Sequence, residues 1–98
     1  MDSSFLNPGD VVILKKLNPK TLDVIHSRKY PKKITIHFGL FLGQHVWARK
    51  FKTLIKGDQV VQFKHPVTSP VMAIKIIEAN LLQITTVNST YYIEKVIL

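Results

Sequence analysis

Apolar and polar positions alternate with a period of two along most of this chain. The clearest run is 34–42, where Ile34, Ile36, Phe38, Leu40 and Leu42 alternate with Thr35, His37, Gly39 and Phe41. Such alternation marks a strand with one face in a core. Val11 to Leu14 are continuously apolar, as in a strand covered on both sides. A strand over 45–52 would put Trp47, Arg49 and Phe51 on one face and Val46 and Ala48 on the other. Another begins at Val60 and runs to Lys64. In the last third Met72, Ile74 and Ile76 share a strand face, Leu82, Ile84 and Thr86 alternate, and Tyr91 to Ile97 closes the chain. Met72, Ile74, Ile84 and Val60 are the expected members of one core.

The breaks between these runs are equally regular. Asn7-Pro8-Gly9-Asp10, Gly43-Gln44, Lys56-Gly57-Asp58, Ala79-Asn80 and Asn88-Ser89 read as turns. Pro66 and Pro70 cannot donate to a ladder, so 65–70 is expected at an edge or outside a sheet. One segment breaks the β pattern. Asn18 is a good N-cap, Pro19 suits a first helical position, and Leu17 and Leu22 stand at the ends of a hydrophobic staple. These signals predict one short helix over 19–29, stopped by Pro31. Gly9-Asp10 and Gly57-Asp58 each open a strand, 48 positions apart. They invite a duplication reading, but the helix signals of the first half have no counterpart in the second.

The prediction is a mainly β fold: a small SH3-like barrel or roll with one short α-helix, formed as a single domain over 1–98. Residues 55–98 resemble the YodC-type proteins, very short uncharacterised bacterial and phage proteins. Gly57-Asp58-Gln59-Val60-Val61-Gln62-Phe63-Lys64 and Ser69-Pro70-Val71-Met72-Ala73-Ile74 carry the resemblance, followed by the closing strands from Leu81. The tryptophan usual near the end of that family is absent; Val87 or Tyr91 stands nearby. The resemblance implies an SH3-like small barrel and carries over no established activity.

Composition changes this picture in one respect. Of 98 residues 46% are hydrophobic, enough for an ordinary core. There is no cysteine, hence no disulfide framework or thiolate chemistry. No apolar run approaches the ~20 residues of a membrane span, and the first residues lack signal-peptide features, so a cytoplasmic protein is expected. The charge stands out. Fourteen Lys and Arg face six Asp and Glu, a net +8. Between Asp23 and Asp58 there is no carboxylate, while Arg28, Lys29, Lys32, Lys33, Arg49, Lys50, Lys52 and Lys56 fall in that interval. A field of this sign attracts polyanions, nucleic acid above all, or merely keeps a small protein solvated.

Chemistry is sparse. His26, His37, His45 and His65 show no metal-ligand spacing, and no metal or other cofactor is expected. Asp10 and Asp58 each follow a glycine at a strand entrance, where aspartate serves turn amides. No nucleophile elbow or phosphate loop is present, so the chain is expected not to be an enzyme. The candidate nucleic-acid-binding residues are Arg28, Lys29, Tyr30, Lys32, Lys33, Trp47, Arg49, Lys50 and Lys52: cations for phosphate and rings for bases. Tyr30 is expected exposed. Trp47 and Phe51 have two readings, base-stacking rings or barrel filling. The expected function is a non-enzymatic binding module of phage or mobile-element type that engages nucleic acid. The alternative is a protein-interaction module or inhibitor that binds an acidic protein surface. Tyr91 to Leu98, apolar and last in the chain, is the expected edge for a homodimer.

Overall fold

Backbone pairing defines seven strands, and burial follows the two-residue period most clearly on the first and the sixth. The computed structural model describes residues 6–53 and 60–96, leaving aside the side chains of 51–53, 60 and 61. The strands are β1 (Val11–Leu17), β2 (Lys32–Thr35), β3 (Trp47–Thr53), β4 (Val60–Pro66), β5 (Val71–Glu78), β6 (Leu81–Thr86) and β7 (Thr90–Lys95). Val12 and Leu14 on β1, Leu82 and Ile84 on β6, and Tyr91 and Ile93 on β7 all point inward. Their neighbours on the same strands stay partly wet, as a half-buried antiparallel sheet requires.

Five strands form one sheet in the order β2-β1-β7-β6-β5, and β3 and β4 form a separate hairpin. All the pairings are antiparallel. Val46, Ala48, Ile36 and Leu40 carry the core from the sheet across to the hairpin side, joining Val12, Leu14, Ile84 and Ile93 in one apolar cluster. Each fully buried Leu, Ile or Val contributes about 1.5–3 kcal/mol relative to exposure. Stitches hold the hairpin to the sheet. Ile36 bridges Ala48, the His37 amide donates to the Trp47 carbonyl at 2.9 Å, and the Val71 amide donates to the Gln44 carbonyl at 2.8 Å.

The expected helix over 19–29 is absent; no helix occurs among the described residues. Asn18 does cap the following turn, its Oδ1 accepting from the amides of Lys20 and Thr21 at 2.9 and 3.3 Å. Leu22 then enters the left-handed region with φ +61, which ends any right-handed helix. The chain doubles back, Leu17 bridges Val24, and the Ile25 amide donates to the Lys16 carbonyl at 2.8 Å. The same Asn-Pro signal serves a helix cap and a tight turn.

The strand expected over 34–42 also stops early, at Thr35, with one further bridge at Ile36. Phe38 and Leu42 are consequently exposed rather than core, while Leu40 is buried. Met72 does not join the core. A register shift between Val71 and Ala73 turns it outward, 61% exposed, and fully buries Val71 in its place. Ile84 is fully buried and Ile74 packs against the cluster; the Val60 side chain lies outside the described residues. The C-terminal strand is not an edge: β7 lies between β1 and β6, so the homodimer expected through it has no free ladder there. The sheet's edges are β2 and β5, and β5 carries two register shifts and Lys75, devices that blunt an edge.

Asp10 serves the first turn as expected, its carboxylate accepting from the Asn7 amide at 2.9 Å. Gly57-Asp58 lies outside the described residues. The strands after the two Gly-Asp pairs have different settings: β1 is interior to the large sheet and β4 pairs only with β3.

Candidate functional site

Beyond the Ile36–Ala48 bridge, β2 and β3 diverge, and a cleft of about 300 Å³ opens in the fork. The core strands set its floor through Ile34, Thr35 and Ala48. Its polar lining is Lys32, Lys33, Arg49, Lys50 and, from β4, His65. Four of the cations expected to bind nucleic acid therefore meet in one place, although Lys32–Lys33 and Arg49–Lys50 are far apart in sequence. The sequence brought them together only as members of one carboxylate-free interval.

The electrostatics are uncompensated. Among the described residues the ion pairs are Lys15–Glu94 and Lys95–Asp10, both 3.3 Å and both at the β1–β7 side of the large sheet. Among the described residues no carboxylate lines the cleft. Arg49 stands directly opposite Lys64 across the β3–β4 ladder, a like-charge pair that costs the hairpin stability. Arg49 Nε and His65 Nδ1 are buried without a hydrogen-bond partner in the protein. A buried polar group left unmatched costs about 1–3 kcal/mol. Burial, and then the ammonium groups of Lys50 and Lys32, hold the His65 imidazole below the usual histidine range; a hydrogen bond with the Ala48 backbone opposes them.

A second, apolar groove of about 190 Å³ lies beside the cleft, lined by Phe38, Gly39, Phe41, Gln44, Trp47 and Lys64. Trp47 is half-buried on the β3 face opposite Val46 and Ala48, outside the core cluster, so it does not fill a barrel. Phe38 meets its ring edge-on at 6.4 Å and His45 at 5.5 Å. His45 is fixed in turn by its Nδ1, 2.6 Å from the Thr68 carbonyl, which makes that nitrogen the donor. Lys64 Nζ lies 4.8 Å from the ring centres of both Phe38 and Trp47, a double cation–π contact.

The remaining expected residues lie elsewhere. Arg28 and Lys29 are exposed on the loop between β1 and β2, around a turn held by Ser27 Oγ, and line neither cavity. Tyr30, expected exposed, is half-buried against the core, 5.9 Å from the Tyr91 ring. Burial and then Tyr91 push its hydroxyl up to about 12, so it stays a neutral phenol. Lys16 and Lys32 lie 5.8 and 6.0 Å from its ring centre. The side chains of Phe51 and Lys52 lie outside the described residues. His65, Lys64, Phe38 and Phe41 were not expected at a site. Only the β4 register, which sets His65 opposite Ala48 and Lys64 opposite Arg49, reveals the first two. Phe38 was hidden by its place in an apolar alternation.

Among the described residues no cluster of His, Asp and Glu could hold a metal ion, and no helix is long and apolar enough to cross a membrane. Comparison with protein-family models, with curated proteins and with solved structures returns no match.

Proposed function

We propose that this protein is a non-enzymatic module, built on a small SH3-like β scaffold, that binds nucleic acid through the fork between β2 and β3. The observation that carries the reading is the convergence of Lys32, Lys33, Arg49 and Lys50 on one cleft that no carboxylate lines among the described residues. Phosphate is the ligand group that matches it. A row of phosphates satisfies several cations together, and the counterions released on binding drive association. The chemistry proposed for the site is charge neutralisation and hydrogen bonding.

The test is an anisotropy titration of labelled single-stranded and duplex DNA and RNA across a salt series. Neutralising about four phosphates gives a log–log salt slope of roughly −3 to −4. Lys32→Glu with Lys33→Glu should weaken every sequence alike, the behaviour of backbone contacts. Absence of binding to every nucleic acid at low salt overturns the reading. An acidic protein surface would then be the ligand that fits the same cations.

A further inference from the structure

The cations and the aromatic groove share a strand. Trp47 and Arg49 lie on the same face of β3, about 7 Å apart along it. Lys64, opposite Arg49, reaches over the Trp47 ring. Arg49 therefore lines the cleft from the groove's face of the hairpin, whereas Ala48, Lys50 and His65 lie on the opposite face, so Arg49 is the cation through which a bound strand would pass from cleft to groove. Phe38 and Phe41 are exposed there rather than packed in the core. Gly39 leaves room for the Phe41 ring, since a Cβ on it would stand a tight 3.3 Å from that ring.

Resting on the nucleic-acid reading of the cleft, we propose that this groove takes one unpaired nucleobase, so that the preferred ligand is a single strand. Three features select that occupant. First, the groove is smaller than the roughly 300 Å³ at which sites for drug-sized ligands begin, so it suits one planar ring system. Second, its walls are the rings of Phe38, Phe41 and Trp47. His45 and Phe38 brace Trp47 edge-on, so a base can stack on a ring already held in position. Third, Gln44 supplies an amide donor and acceptor for a base edge, and Lys64 places a positive charge where the attached phosphate would pass. An apolar peptide side chain would use the rings but not the cations on either side of them. A duplex would reach the cleft, but its bases are stacked away from the groove.

The chain has a single tryptophan, so its fluorescence reports on the groove directly. The experiment compares a single-stranded oligonucleotide, the same strand with abasic positions, and the duplex, reading anisotropy and Trp47 fluorescence together. The single strand should bind roughly tenfold to a hundredfold tighter than the abasic strand and quench Trp47, which the abasic strand should not do. Phe41→Ala, at an exposed position that spares the core, should lower the ratio of single-strand to duplex affinity about tenfold. Equal affinity for the intact and abasic strands, or unchanged Trp47 fluorescence at saturation, overturns the groove proposal while the cleft reading stands. Absence of binding by all three ligands takes down both.

Discussion

Arg49 and Lys64 face each other directly across the β3–β4 ladder, two cations where a stability-optimised hairpin would carry opposite charges. The pair sits between the basic cleft, which Arg49 lines, and the aromatic groove, which Lys64 lines. Lys64 gains from the Phe38 and Trp47 rings part of what it loses beside Arg49. Natural sequences retain such conflicts mainly at binding sites, where a partner resolves them.

The conflict can be tested by reversing one charge. Lys64→Glu would replace a like-charge cross-strand pair with an opposite one, a gain of about 0.2–1 kcal/mol. It would also lose the cation–π contacts, about 0.5–1 kcal/mol at an exposed site. Denaturant unfolding should therefore place the variant within about 1 kcal/mol of the parent. Its affinity for nucleic acid should fall at least tenfold and its salt slope should flatten. A variant that binds as tightly as the parent would show that Lys64 takes no part.

His65 makes the cleft responsive to pH. Its folded pKa is depressed, by burial first and by Lys50 and Lys32 next, so the folded protein binds this proton more weakly than the unfolded chain. Stability of the free protein from this group is fully present above the ordinary histidine value of ~6.5. It declines as pH falls from there toward the folded value and levels off below it. A bound phosphate counters Lys50 and Lys32 and favours the imidazolium. Binding should therefore take up a proton, and affinity should rise roughly three- to tenfold between pH 7 and 5. The readout is the difference between the parent and His65→Gln, which should flatten the profile. Parallel profiles for the two proteins would place His65 out of reach of the ligand.

The positions of β1, β3, β4, β6 and β7 were legible because one face of each alternates or runs apolar. Asn88-Ser89 also announced the last turn, where the Thr86 amide donates to the Ser89 carbonyl at 2.7 Å. What escaped was anything decided by a single residue's backbone. Leu22 at φ +61 converts a helix start into a reversal. The slip between Val71 and Ala73 exchanges Met72 for Val71 in the core. A leucine in the left-handed region and a bulge without glycine leave no compositional trace. The site was half legible. The carboxylate-free interval named its cations, but their meeting in a fork depends on the long-range Ile36–Ala48 bridge. Tyr30 looked exposed because lysines surround it in sequence, yet its ring packs on Tyr91, with Lys32 and the distant Lys16 beside it.

The register at β5 gives a paired stability prediction. Ile84 is fully buried and Met72 is 61% exposed, although both belong to apolar alternations. Ile84→Ala should cost on the order of 2–5 kcal/mol in urea unfolding. Met72→Ala should stay within about 0.5 kcal/mol, as surface substitutions do. A large loss at Met72 would mean that its side chain is covered, most simply by a second copy of the chain along the β5 edge.

Leu22 separates turn from helix by the sign of a single measurement. Its amide donates to the Asn18 carbonyl at 2.7 Å, and the Asn18 amide donates to the Asp23 carbonyl at 2.9 Å, closing the reversal on both sides. A left-handed conformation costs a non-glycine residue roughly 1–2 kcal/mol. Leu22→Gly removes that cost and adds about 0.5–1 kcal/mol of unfolded-state entropy, for a net gain of up to about 1 kcal/mol. Leu22→Val, branched at Cβ, should destabilise, because its crowding is worst in this conformation. Were 19–29 a helix, the same Leu22→Gly change would instead cost about 1 kcal/mol. Leu22 is exposed, so lost packing contributes little to either outcome. A thermal or urea melt showing Leu22→Gly less stable than the parent would overturn the turn and restore the helix.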